Sequence, residues 1–156
     1  MLSRFAMSAW VGAAALFVVT TLREVHSPQL DSATKSELAV LRFPGYYMFA
    51  FSLVAAALVF GLCASPAVSK FRRRTTLSLV GIVLVLTAID YEWVYGPLAH
   101  MTAAVEEARP ASFVNYHRAS KWLNTAQVSL SAIAALLMCW PVTAGDERTT
   151  AAAPEP

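Results

Sequence analysis

The chain has 156 residues, of which 57% are hydrophobic and only 14% charged, with a net charge of +2. Ordinary soluble domains carry roughly 25% charged residues, so an ordinary water-facing surface is excluded. The net charge is too small to argue for nucleic acid, and the only two cysteines, Cys63 and Cys139, are too few for a disulfide framework.

Four long apolar runs predict an all-α integral membrane protein, a four-helix bundle threaded up-down-up-down. A helix needs roughly 20 apolar residues to cross about 30 Å of hydrocarbon. The first run, Phe5 to Leu22, is 18 residues long, and the predicted span is 5–22. Arg4 precedes it, as in a secretory leader, but no small-x-small cleavage site stands before Arg23-Glu24, so a retained helix is expected. Ser8 and Gly12 on this helix, and Ala57 and Gly61 on the next, are small residues four apart of the kind that let backbones approach in lipid.

The loop after the first span carries its own local order. Asp31 or Thr34 can cap a short interfacial helix, and Thr34 with Glu37 fits the capping-box spacing. Leu38, Val40 and Leu41 would lie against the membrane surface, and Pro44 would open the second span at its first turn, where a missing amide donor costs little. That run is uncharged from Phe43 to Ser69, and the predicted span is 43–65.

Lys70-Phe71-Arg72-Arg73-Arg74 reads as a short basic loop. Its density of positive charge marks the cytoplasmic side. Total Lys and Arg divide six against six between the two sides, so only this cluster sets the direction. Both termini are then expected in the cytoplasm of a cell whose inner membrane holds the chain. Cys63 and Cys139 fall at inner helix ends, as small core residues or as a redox or metal pair.

The third span, 75–98, is uncharged from Thr75 to Ile89 and continues through Asp90 and Glu92. Two residues apart on a helix means about 200° of rotation, so both carboxylates cannot point inward. Asp90 shares a face with Thr87 and is assigned inward; Glu92 is assigned to the headgroups. The fourth span, 117–140, carries His117, Ser120, Asn124, Gln127 and Ser131 at spacings of three and four, which is one helical face. Lipid cannot satisfy such a stripe, so it should face the bundle. Residues 142–156 read as a disordered tail. No period-two alternation suggests a β-barrel.

A depth count brings these groups to one level. Asp90 lies roughly 22 Å from the inner end of its helix, and the same rise on the fourth reaches Thr125. A polar layer is expected from Asp90, Asn124, Lys121, Ser120, Gln127, Tyr47 and either Thr20 or Thr21 near the outer face. A lone carboxylate at that depth costs about 2.5–3.5 kcal/mol, which Lys121 would offset. Two readings stay open: a structural interhelical network, or a site for a ligand or ion. His26, His100 and His117 all fall on the outer side, where a metal or haem site is conceivable, but no tight spacing such as His-x-x-x-His supports one. No Gly-x-Ser-x-Gly or Gly-rich phosphate loop is present, so a non-enzymatic protein is expected.

Phe43-Pro44-Gly45-Tyr46-Tyr47, the spacing His117-x-x-Ser120-x-x-x-Asn124 and Ala9-Trp10-x-Gly12 resemble the transmembrane protein 205-like family, a four-helix membrane domain of poorly defined activity. The likeness runs from Met7 to Trp140. It implies the same bundle and marks Phe43, Pro44, Tyr46, His117, Ser120 and Asn124 as candidates. The family is more distantly similar to copper-resistance D-type membrane proteins and to a haem-dependent four-helix membrane protein, which implies haem or copper as possible cofactors.

Three functions follow as expectations. The first is non-enzymatic handling of a small solute or metal ion at a polar pocket near the outer face, with the lipid bilayer as partner and a homo-oligomer, since four spans are few for a transporter. The second is a haem- or copper-binding redox protein using His117 with His26 or His100. The third is a membrane scaffold or accessory subunit.

Overall fold

The computed structural model describes residues 1–64, 69–103, 110 and 112–141. The tail expected at 142–156 lies outside the described residues. Among those described, every regular element is helical: α1 (Leu2–Val25), α2 (Ser32–Cys63), α3 (Lys70–Ile89), a π-helical turn (Asp90–Tyr95), α4 (Gly96–Ala103) and α5 (Ser112–Cys139). The π turn joins α3 to α4 in one continuous crossing. Four helices are therefore long and apolar enough to cross a membrane.

Each helix packs on its neighbours in the chain, and α5 closes the ring by packing on α1 as well as α3. The N-terminus of α1, the C-terminus of α2, the N-terminus of α3 and the C-terminus of α5 meet at one end, the basic end. Ser3 there donates to the carbonyl of Ala57 at 2.7 Å and to the sulfur of Met138 at 3.6 Å. A Cβ on Gly61 would meet Leu77 at 2.8 Å and Ser3 at 3.3 Å, so this glycine permits the close approach expected of the Ala57 and Gly61 pair. The Ser8 and Gly12 pair behaves differently: both are exposed, and a Cβ on Gly12 would meet nothing. Met7, Trp10 and Ala14 face inward instead.

The bundle is apolar outside as well as within. Phe5 is 73% exposed, Trp93 72% and Trp122 71%, with Leu16, Phe49, Val85 and Leu136 also open. The buried set includes Thr76, Thr87, Asp90, Gln127 and Ser131 beside the apolar core of Met7, Trp10, Val54, Val80 and Val83. Such a distribution suits a bilayer, where lipid satisfies the outer face and only the protein interior can satisfy polar groups.

Three local features differ from expectation. The residues expected to make a short interfacial helix are helical, but they run on into the second crossing without a break. Asp31 caps them, accepting from the Thr34 amide at 2.7 Å, and Pro44 lies inside the helix rather than in its first turn. Proline has no amide to donate to Val40, yet α2 continues through it.

The second difference is the basic cluster, which opens α3 rather than forming a loop. Ser69 caps it through the Arg72 amide at 3.4 Å. Cations are unfavourable at a helix N-terminus, and here two of them reach away from it to helix C-termini that want positive charge. Arg72 donates to the carbonyl of Leu137 from Nε at 2.9 Å and also to that of Trp140 at the end of α5. Arg73 donates to the carbonyl of Leu62 at the end of α2, at 2.9 Å. The third difference is the π turn, which no sequence spacing announced. The N–H of Gly96 reaches back five residues to the carbonyl of Tyr91.

At the opposite end Glu24 and Arg42 tie α1 to α2 by a half-buried ion pair, with Arg42 Nη1 donating to Glu24 Oε1 at 2.6 Å. The Arg42 guanidinium also lies over the Phe17 ring, 5.6 Å from its centre.

Candidate functional site

Eight hydrogen-bonding side chains line up through the interior of the bundle, the first of them Trp10 from α1. Tyr46 and Tyr47 come from α2, Thr87 from α3, Asp90 from the start of the π turn, and Asn124, Gln127 and Ser131 from α5. The inward face of α3 runs Thr76, Val80, Val83, Thr87, and Asp90 continues it by another step of three. Glu92 is exposed while Asp90 is 1% exposed, the division that about 200° of rotation requires.

Cross-helix bonds build the layer. Tyr47 donates its hydroxyl to Asp90 Oδ2 at 2.9 Å. Tyr46 donates to Asn124 Oδ1 at 2.8 Å, crossing from α2 to α5. The Trp10 indole donates to Ser131 Oγ at 3.1 Å. Gln127 donates to the carbonyl of Leu86 at 3.3 Å, one of two carbonyls to which the Asp90 amide also donates just before the π turn. Widening a helix into a π turn disturbs its carbonyl ladder, and a side-chain amide from α5 supplies the extra donor there.

The Asp90 carboxyl is only half answered. Oδ1 is buried and has no hydrogen-bond partner among the described residues. Gln127 and Ser120 stand near the carboxyl, but neither reaches Oδ1 at bonding distance. No cation pairs with it: the one ion pair among the described residues is Arg42–Glu24. Lys121, the expected partner, is exposed. It lies six residues from Gln127, about 120° around α5, and so points away from the layer. Thr20 and Thr21 are not in the layer either. Their hydroxyls turn back on the carbonyls of Leu16 and Phe17 in their own helix, both at 2.8 Å.

An aromatic wall surrounds Tyr47. Its ring centre lies 4.9 Å from Tyr95, 5.2 Å from Tyr91, 5.5 Å from Tyr46 and 6.5 Å from Phe43. Tyr46 in turn meets Trp10 at 5.2 Å and Phe17 at 4.4 Å. Tyr46 and Tyr47 are core residues, and Tyr91, Trp93 and Trp122 are exposed aromatics at this end.

The three histidines stand on three different helical elements or their ends. His26 holds the carbonyl of Leu22 at 2.8 Å, the His117 ring lies parallel to Phe113 with centres 6.0 Å apart, and His100 is exposed. No three His, Cys, Asp or Glu side chains among the described residues come together as a metal would need. Cys63 and Cys139 are free and exposed, each ending its helix at the basic end.

Comparison with protein-family models, with curated proteins and with solved structures found no match for the chain. The resemblance drawn on Phe43–Tyr47 and on His117, Ser120 and Asn124 therefore rests on those residues themselves. Of them, Tyr46 and Asn124 bond each other directly. Trp10 and its bond to Ser131 had no signal of comparable strength in the spacing, because an indole inside an apolar run reads as ordinary core.

Proposed function

We propose that this protein is a non-enzymatic integral membrane protein that handles a small solute or ion at the polar layer around Asp90. One observation carries the reading: a carboxyl 1% exposed, within a membrane crossing, keeps one oxygen without a protein partner among the described residues. A buried polar group left unanswered costs more than one satisfied or absent, so a merely structural layer would gain by replacing Asp90. Intramembrane ionisable groups mark ligand and ion pathways more often than other positions do. A π turn at the same residue fits, since such turns frequently sit at functional sites.

The orientation proposed with it puts both termini in the cytoplasm, on the strength of Lys70, Arg72, Arg73 and Arg74. A homo-oligomer in the cell's inner membrane is the proposed assembly.

A membrane scaffold is the second reading, favoured by the completed bonds Trp10–Ser131 and Tyr46–Asn124, which tie helices without needing a ligand. Haem or copper has no comparable support among the described residues, where no group of three metal-ligating side chains forms.

The deciding experiment compares purified wild type with Asp90→Asn against small cations, amines and neutral solutes, reading thermal stability in lipid nanodiscs. A solute that stabilises the wild type and not the folded variant supports the proposal. Identical responses across the panel favour the scaffold.

A further inference from the structure

Given a ligand at Asp90, as proposed above, the geometry points to its class: a protonated amine, carrying one positive charge, N–H donors and an apolar body. Charge comes first. The layer holds a single carboxyl with no Lys, Arg or His paired to it among the described residues, so one positive charge neutralises an ionised Asp90. Calcium or magnesium would ask for six or more oxygen ligands, and zinc for several His, Cys or carboxylate ligands, and no such group exists among the described residues.

The hydrogen-bond inventory comes second. The vacant valence at Asp90 Oδ1 is an acceptor. Gln127 Oε1 is another. Thr87 has one hydroxyl proton, and its oxygen lies 2.8 Å from the carbonyl of Val83 but 3.3 Å from Gln127 Oε1, so the proton goes to Val83 and the amide oxygen keeps its lone pairs. Tyr47 spends its proton on Asp90 Oδ2 and offers lone pairs of its own. The protons of Thr87 and Tyr47 are committed, while Asp90 Oδ1 and the Gln127 amide oxygen keep free lone pairs. A ligand suited to this site brings donors.

The walls come third. Tyr46, Tyr91, Tyr95 and Phe43 all pack against the ring of Tyr47, whose hydroxyl is on the carboxyl. Aromatic faces attract organic ammonium groups and accommodate their hydrocarbon, whereas an inorganic cation keeps to oxygen. Carboxyl, open acceptors and ring faces within one bundle end are what a protonated amine recognises.

The test uses the full chain in nanodiscs and three probes of one shape: phenethylammonium, neutral 2-phenylethanol and the phenylacetate anion. Equilibrium dialysis measures binding, with protein-free nanodiscs subtracted. Phenethylammonium is expected to bind saturably, at least tenfold more tightly than the alcohol, with phenylacetate undetected. Asp90→Asn should weaken the ammonium at least tenfold and leave the alcohol unchanged. Alcohol binding as tight as ammonium in the wild type overturns the amine class, and that comparison decides the matter even where the variant does not fold. Retention of ammonium binding in a folded Asp90→Asn protein overturns it too. Sodium or a neutral solute acting through Asp90, with no ammonium binding, overturns the amine class while leaving the ligand site in place. Absence of any Asp90-dependent ligand overturns both.

Discussion

Tyr47 and Asp90, on facing helices, share a hydrogen bond of 2.9 Å that leaves the second carboxylate oxygen unanswered. Removing the phenol therefore strips the carboxyl of its last side-chain partner at bonding distance. Tyr47→Phe keeps the ring on Tyr91 and Tyr95 and should destabilise the folded bundle by about 1–2 kcal/mol. Asp90→Asn keeps an acceptor for Tyr47 and should cost less. Unfolding in mixed micelles measures both, and a double-mutant cycle with Tyr47→Phe should show coupling. Independent effects would mean that the bond contributes nothing.

Trp10 and Ser131 provide a second cross-helix bond, and its two halves should not be equal. Ser131→Ala leaves a buried indole N–H with nowhere to donate, for about 1–2 kcal/mol. Introducing valine at the same position in place of the serine would add crowding, so alanine is the informative change. Trp10 is also the one buried tryptophan among the described residues; Trp93, Trp122 and Trp140 are exposed. A triple Trp93→Phe, Trp122→Phe, Trp140→Phe protein should emit further to the blue than wild type.

The arginines at the start of α3 should separate by partner rather than by charge. Arg72 holds the carbonyls of Leu137 and Trp140, and Arg72→Ala should destabilise by about 1–2 kcal/mol. Arg74 is exposed, and Arg74→Ala should fall within about 0.5 kcal/mol of wild type. Equal losses from both would show that charge, not capping, is what the cluster provides.

Much of this is legible in the sequence. Apolar run length located four crossings because hydrocarbon thickness leaves few alternatives. The three-four spacing on α5 marked the face carrying Asn124, Gln127 and Ser131, since rotation per residue is a constant, but His117 at the outer end of the same stripe is exposed. Asp90 could be set inward and Glu92 outward for the same reason. Lys121 misled because depth along a helix says nothing about direction around it. The π turn and the carbonyl partners of Arg72 escaped notice because both arise from how neighbouring helices meet, and neither leaves a period in the chain. Pro44 misled differently: a proline is welcome in a first turn, but the Asp31 cap starts α2 well before it.

Topology has a direct check. In a protein whose Cys63 and Cys139 are replaced by serine, Arg74→Cys should react with an impermeant maleimide only from the cytoplasmic face. Ser32→Cys, at the start of α2 and exposed, should react only from the other face. Labelling of both from one side would contradict the crossing between them.

The α2 cap carries a pH signature. The Thr34 backbone amide, with smaller help from its side chain, holds the Asp31 carboxyl below the ordinary value of 3.8. A lowered value in the folded state means the cap is fully present above pH 3.8 and is lost as pH falls through the lowered value. Hydrogen exchange at Thr34 should accelerate in that acid window beyond the intrinsic trend. In Asp31→Asn, which also caps but does not titrate, the extra acceleration should vanish.

The turn at Asp90–Tyr95 winds five residues where four would do, and so holds a surplus residue. Delete one residue there and the chain would be the more regular for it, yet Leu98, now buried, would swing about 100° toward the hydrocarbon. A crossing that keeps such an irregularity is one whose two halves have separate directions to honour: the lower aims a carboxyl into the bundle, and the upper turns its own oily side back to meet it.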